Sequence, residues 1–437
     1  MLVYLISSIF PMMGNAQEPR YITLQESIDL SIKNSKQLQA AAARNSQAAA
    51  VLKQAQDNKL PDVNVSGSYL RLTNPNISLK TKAFGGSADS TGNSKSPSVN
   101  QAMYGIVNVA LPIYAGGRIR YGIESARYLQ QATVLDADND KEAVILNTIN
   151  AFVNLYKAGV TVNVVKENLQ QSAYQDSVFS RLEQNGLLAR NDLLKSELQT
   201  SNIELSLLDA ENNQKIANVN MNLMLGLPEN TVLVPDSSKF QESPALKNLE
   251  EYENLALQNR KDLLSLRFRK KAATTGIAAA KAEMYPSVAL TGGYIAADIP
   301  HLLSIYNAVT VGVGLKYNFG SLWKTKAKID QAKAKEEEIT ANELQLDDAI
   351  SLKINQDYEN FLLAQKKIEV YQKAVAQATE NYRITKNKYN NSLVNTTDLL
   401  DANVSLLQSK INLAVAKADV SLAYNRLLAT SGLLSVQ

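Results

Sequence analysis

The chain has 437 residues, with 45 Lys and Arg against 42 Asp and Glu and a formal net charge of +3. That near balance gives no electrostatic case for nucleic acid as a partner. Cys is absent and His301 is the single histidine, which rules out disulfides, thiol chemistry, His-based triads and multi-His or cysteine metal centres. No catalytic, cofactor or metal site is expected, and the length suffices for a large core or for two or three domains.

Leu2 to Phe10 form a short apolar run, followed by Pro11 and the small residues around Gly14-Asn15-Ala16. Residues 1–16 read as a signal peptide, and so as export. The Lys or Arg that ordinarily precedes such a run is missing, which points to a start further upstream. No Cys follows the cleavage point, so no lipid-modified N-terminus is expected. No apolar run reaches the ~18 residues of a transmembrane helix.

Tyr21 to Asn34 reads as a short amphipathic helix, with Thr23 as N-cap and Glu26 completing a capping box. Lys36 to Leu60 is a second helix, rich in Ala and stopped by Pro61. The period then changes to two. Val63, Val65 and Tyr69 alternate with Asn64, Ser66 and Ser68, and after a Gly/Ser/Asn-rich stretch the alternation returns at Val107, Val109, Leu111 and Ile113. This predicts a β-hairpin over about residues 62–114 with a long tip, whose Tyr69, Tyr104 and Tyr114 suit membrane interfaces.

From Gly116-Gly117-Arg118 the helical period resumes, and no proline occurs between Pro112 and Pro228. A helix over 118–184 would run roughly 100 Å. Leu146, Ile149, Val153, Tyr156 and Val160 mark one stripe of it. Asn185-Gly186 breaks it, and a return helix over about 192–226 ends at Gly226-Leu227-Pro228. Residues 229–247 read as a linker with one short strand at Val232-Leu233-Val234.

The plan is then repeated, so the first repeat is 17–228 and the second 248–437. Leu24, Glu26, Leu30, Asn34 and Leu38 recur as Leu249, Glu251, Leu255, Asn259 and Leu263. The second hairpin is expected over 287–319, its long helix over 324–390 and its return helix over 398–430. The seam of the first return helix, at Leu193, Ser196, Thr200, Ile203, Leu207, Ala210, Gln214, Ala217 and Met221, recurs 206 positions later as Leu399, Ala402, Leu406, Ser409, Leu413, Ala416, Val420, Ala423 and Leu427. Steps of three and four are the spacing of a coiled-coil seam.

The fold class expected is mainly α with a small β portion. Each chain supplies four strands, and an open sheet edge in lipid would leave backbone groups unpaired. Single-chain barrels begin at about eight strands. The simplest closure is therefore three chains and twelve strands. The alternative, a soluble hairpin on a coiled-coil rod, leaves the apolar row from Val309 to Phe319 exposed.

These features together resemble the TolC-like outer-membrane efflux family: the signal peptide, the duplicated halves, the Pro-bounded hairpins, the run Leu111-Pro112-Ile113-Tyr114-Ala115-Gly116-Gly117-Arg118, and the two turns Gly186…Asp192-Leu193-Leu194 and Tyr389…Asp398-Leu399-Leu400-Asp401-Ala402. The resemblance covers essentially the whole mature chain. It implies a homotrimer with a twelve-stranded β-barrel in outer-membrane lipid, continued by a long α-helical coiled-coil barrel in the periplasm. The partners it implies are a periplasmic adaptor and an inner-membrane pump of RND or ABC type. A periplasmic adaptor is the competing class, since adaptors also pair long helical hairpins with β segments.

Asp398 and Asp401 are three apart at a helix start, hence on one face, and three copies would ring a narrow mouth with carboxylates. The resemblance places both in a periplasmic constriction. The plainer alternative is that they complement the helix dipole. For Asp398 the repeat partner is Asp192, whereas for Asp401 it is Lys195. The resemblance also implies that Tyr389 bonds toward Asn191 and Asp192 across the closed mouth, the alternative being a tyrosine packed between helices, and that Val394 stands where the family has an Arg. It makes Gly186, Leu187, Leu188, Ser392, Leu393 and Val394 adaptor-docking positions; local packing under the turn is the alternative.

Overall fold

The computed structural model describes residues 19–73, 99–236, 246–300 and 303–434. The signal-peptide expectation, the tip of the first hairpin and His301 lie outside the described residues. The chain divides into two compact units. One gathers Met1–Ala43, Leu135–Leu264 and Leu344–Gln437, the other Arg44–Val134 and Ser265–Glu343. The units are therefore not the two sequence repeats, because each draws segments from both.

In chain order the elements are β1 (Arg20–Ile22), α1 (Leu24–Asn34), α2 (Lys36–Asp57), β2 (Asp62–Arg71), β3 (Gln101–Ala115), α3 (Arg118–Gln184) and α4 (Arg190–Leu225). They continue with β4 (Leu233–Pro235), α5 (Leu249–Asn259), α6 (Lys261–Ala282), β5 (Ser287–Ile299), β6 (Leu303–Lys316), α7 (Ser321–Asn390) and α8 (Thr396–Thr430). Thr23 caps α1 by accepting the Glu26 N–H at 3.1 Å, but Tyr21 lies outside that helix. It belongs to β1, which pairs in parallel with β4 and so ties the start of the chain to the segment between the repeats. A three-residue strand has too few residues to show a period. The strand β6 also stops short of Phe319, and α7 begins three residues earlier than its spacing suggested.

The first unit is built around one apolar cluster. Phe152, Leu155, Met221, Leu225, Tyr252, Leu263, Ile354 and Leu427 are fully buried in it, drawn from both repeats. All nine seam positions on α4, and all nine on α8, are buried or half-buried. The seam packs as a coiled-coil spacing requires. Each return helix ends on a glycine in the left-handed region, Gly226 at φ 70° and Gly432 at φ 69°. A Cβ at Gly226 would sit 2.9 Å from Asn34, and one at Gly432 would sit 2.9 Å from the Arg260 backbone. In the first repeat the Asn34 amide donates to the Leu225 carbonyl at 2.6 Å; in the second the Arg260 guanidinium donates to the Thr430 carbonyl at 3.1 Å. The duplicated junction thus survives with a different donor.

The second unit holds a four-stranded antiparallel sheet in the order β2-β3-β5-β6. Directly opposed residues share a face, so the register sorts the side chains. Val63, Val109, Gly292 and Val311 form one cross-strand row, and Val65, Val107, Tyr294 and Val309 the next. The other face carries Asn64, Asn108, Gly293 and Thr310 in one row. Val309, Val311, Val313 and Leu315 are 68% to 81% exposed. An apolar outer face and a small or polar opposite face is the pattern of a membrane β-barrel wall. Pro112 has no N–H to give the ladder, and the β3–β5 register shifts between Pro112 and Tyr114. No described helix is long and apolar enough to cross a membrane.

The two faces should respond differently to charge. Val311→Arg is expected to cost about 2–4 kcal/mol near the bilayer midplane and to deplete the protein from the outer-membrane fraction. Thr310→Arg, on the opposite face, should leave that fraction unchanged. Equal loss for both variants would contradict the facial assignment.

Candidate functional site: the paired helix turns

In the first unit, α3 and α4 are joined by residues 185–189, and α7 and α8 by residues 391–395. The two turns have one construction. Gly186 has φ 70°, its N–H bonds the Glu183 carbonyl at 2.9 Å, and the Leu187 N–H reaches back to the Leu182 carbonyl at 2.8 Å. Ser392 has φ 58°, its N–H bonds the Tyr389 carbonyl at 2.9 Å, and the Leu393 N–H reaches Lys388 at 2.9 Å. Both are left-handed C-caps that satisfy the last helical carbonyls. Glycine adopts that backbone freely, whereas the Ser392 Cβ costs roughly 1 kcal/mol there.

The helices that leave the turns start differently. α8 begins with a complete capping box: the Asn395 side chain accepts the Asp398 N–H at 2.9 Å, and the Asp398 carboxylate accepts the Asn395 N–H at 3.3 Å. α4 begins at Ala189, which has no side chain to cap with. Asp192, the repeat partner of Asp398, instead lies 3.5 Å from Lys195.

Beneath the turns the two helix pairs meet in a small core of Phe179, Leu193 and Leu399, ringed by Leu182, Leu188, Tyr382 and Tyr389. The Tyr389 and Phe179 rings stack at 5.4 Å. The Tyr389 hydroxyl accepts from the Thr396 hydroxyl at 3.4 Å. Burial pushes the Tyr389 phenol above its ordinary pKa; the Thr396 bond opposes this and the Asp192 charge adds to it. The phenol therefore stays protonated throughout the neutral range.

Away from the turns, the same helices are joined by polar bonds. Gln171 donates to the Tyr382 hydroxyl at 2.7 Å, Asn168 to Asn403 at 3.2 Å and Ser196 to Asp176 at 2.5 Å. The Ser172 and Thr200 hydroxyls lie 2.6 Å apart. A buried polar group is costly without its partner, so such pairs hold helices in one register.

The residues singled out from the sequence fall into three groups. Asp398 and Asp401 are both exposed on successive turns of α8, but only Asp398 has its carboxylate engaged. Tyr389 lies close enough to Asp192 to feel its charge, yet its hydroxyl bonds Thr396, while the exposed Asn191 side chain has no hydrogen bond to a described residue. Leu187 and Leu393 project, at 74% and 72% exposure, whereas Leu188 packs against the small core and Val394 is half-buried. Sequence reading missed Phe179, Tyr382 and Thr396. It also missed the cap at Asn395, although the Asn-x-x-Asp spacing of 395 and 398 was a usable signal.

Two strands and two very long helices, formed twice, with an apolar sheet face and two equivalent helix turns, define a channel-forming protein of the outer membrane. The chain belongs to the outer membrane efflux protein family, whose model matches residues 27–227 and 253–433. It is therefore an outer-membrane efflux channel with a periplasmic extension, and not an adaptor. Nodulation protein T of Rhizobium leguminosarum bv. trifolii is 23% identical over 401 residues, which span 89% of this chain and 81% of that protein. The fold is similar to that of the outer membrane protein VceC of Vibrio cholerae, with a TM-score of 0.75, 20% identity, and 94% of this chain and 96% of that one covered. It is also similar to the CmeC outer membrane channel of Campylobacter jejuni, with a TM-score of 0.76, 16% identity, and 94% and 86% covered.

The turn chemistry sets an expectation for stability. Ser392→Gly should raise stability by about 1 kcal/mol by relieving the left-handed backbone, and Asn395→Ala should lower it by about 1 kcal/mol through loss of the cap. Thermal melts followed by circular dichroism measure both, and a Ser392→Gly variant that melts earlier would refute the assigned strain.

Proposed function

We propose that the chain works as a homotrimer, forming the exit duct of a tripartite assembly with a periplasmic adaptor and an inner-membrane pump of RND or ABC type. The observation that carries this reading is the pair of sheet edges. β2 and β6 each have one neighbour among the described strands, and an edge facing lipid cannot find water to satisfy its backbone. Three copies would supply twelve strands and join β2 of one to β6 of the next. The outer row of α4 supports the same reading. Leu194, Leu198, Leu205, Leu208, Ile216 and Leu223 recur at near-heptad spacing and are 48% to 64% exposed in the single chain. So long an apolar stripe calls for a second helix to cover it.

In such a trimer, Asp401 is the residue we assign to the constriction. Its carboxylate is exposed and bonds no described residue, while that of Asp398 is occupied in the capping box. Three Asp401 side chains around one mouth would favour cations over anions. Tyr389 and Asp192 sit behind the turn, and Tyr389 keeps a partner in Thr396 within its own chain, so a bond across the mouth could break without orphaning a buried hydroxyl. Asp401→Ala should reduce cation selectivity in planar bilayers several-fold and leave thermal stability within about 0.5 kcal/mol. The wild-type protein should run as a heat-sensitive trimer on a gel. A monomer there, or unaltered selectivity in the variant, would overturn the corresponding part of the reading.

For the adaptor, the outward pair Leu187 and Leu393 is the docking position of choice, with Gly186, Ser392 and Val394 as the turn backbone beneath it. Leu188 serves the small core instead. Leu187→Asp combined with Leu393→Asp should abolish site-specific crosslinking to the adaptor while trimers survive. Crosslinks that persist would remove these residues from the interface.

A further inference from the structure

We propose that the junction of β6 and α7, residues 319–326, seats the headgroup of an anionic phospholipid in the periplasmic leaflet of the outer membrane. The inference rests on the outer-membrane assignment and adds a lipid class and a position. Trp323 is the only tryptophan in the chain. It is 68% exposed, its indole N–H bonds no described residue, and Phe319 and Leu322 beside it are 68% and 50% exposed. The apolar row Val309, Val311, Val313 and Leu315 leads directly into this group along the chain, and Phe319 stands edge-on to Tyr317 with ring centres 4.8 Å apart. An indole has an apolar body and one donor, which is why it settles at the headgroup level of a bilayer.

The charges are disposed to match. The first turns of α7 bury Ser321 and Thr325, so at 100° per residue Trp323 and Lys326 lie on the opposite, outward side as i,i+3 neighbours. Lys324 is exposed between them in sequence. Neither Lys324 nor Lys326 has an ion pair or hydrogen bond with a described residue. Lys328 falls back on the inward row and is committed to Glu283 at 2.5 Å. At the same end of the sheet Lys316 and Lys281 are exposed as well. Asp330 is the nearest exposed acid along the outward row, and it bonds neither lysine. Lysine stems can lie along the acyl region while their ammonium groups reach phosphate. Each such lysine near an anionic surface adds to the attraction.

The sole tryptophan makes the test direct. The full-length protein is placed in nanodiscs of phosphatidylcholine, with or without phosphatidylglycerol, carrying a doxyl label either high on the acyl chain or near its end, and iodide serves as the aqueous quencher. The expected result is strong quenching by the shallow label, weak quenching by the deep label and by iodide, and stronger shallow quenching when phosphatidylglycerol is present. Lys324→Gln with Lys326→Gln should lower the preference for phosphatidylglycerol by roughly thirtyfold while incorporation and channel conductance persist. Quenching by iodide alone would show a water-facing Trp323, and protection from every quencher would show a site covered by another copy; either overturns the proposal. So does lipid quenching indifferent to phosphatidylglycerol. Failure to incorporate into nanodiscs or to conduct would instead count against the membrane assignment itself.

Discussion

A backbone amide in hydrocarbon has no water to bond, and that constraint governs how this chain is put together. Four strands satisfy their inner ladders, but β2 and β6 turn one side outward. The cross-strand rows through Val63 and Val65 are mostly valines, while the row between them on the other face is Asn64, Asn108, Gly293 and Thr310. Such a sheet suits a wall between lipid and water, and it calls for more strands than the chain owns. The duplication doubles two strands to four, and in the proposed trimer symmetry between copies would supply the rest. The same economy accounts for Pro112, which sits in a strand where a bulge relieves the ladder of the hydrogen bond it cannot make.

Duplication also explains the helix turns, which have kept one end of their construction and changed the other. The C-caps are conserved in construction, Gly186 and Ser392 both left-handed with matching backbone bonds. The N-caps are not. The second turn closes its helix with Asn395 and Asp398, whereas the first leaves Ala189 without a cap and uses Asp192 near Lys195. An acid at the third helical position is therefore explained by capping and by the helix dipole. Asp401 has no such explanation, since Lys195 fills its place in the other repeat. The unexplained charge is the informative one.

Packing under the turns ties these local features together. Phe179 on α3 stacks on Tyr389 of α7, and Leu193 and Leu399, one from each return helix, close the same small core. Away from the turns, bonds such as Asn168 to Asn403 and Gln171 to Tyr382 join α3 to α8 and α7 across the repeats. A leucine seam alone tolerates slippage by one heptad. A buried amide pair does not, because sliding it strands both groups.

Much of this was legible in the linear chain because it is periodic. Alternation at Val63 to Tyr69 and Val309 to Leu315 announced strands, spacing of three and four announced the seam, and proline-free runs announced the long helices. The offset between repeats identified equivalent positions without any structure. Periodicity says little where an element is too short to show a period, so β1 at Arg20–Ile22 was read as a helix start. It also cannot tell which of two adjacent leucines points outward. Leu187 and Leu188 are alike as residues, and only the course of the backbone through a left-handed turn sends one into water and the other onto the small core of Phe179, Leu193 and Leu399. Likewise Asp398 and Asp401 are equivalent in sequence, on one face and three apart. Their roles diverge because a carboxylate at the third helical position can reach the N-cap amide, and one a turn later cannot. The sequence by itself determined the family, the duplication and the candidate positions; tertiary structure decided which candidates are spent on folding and which are left free to act.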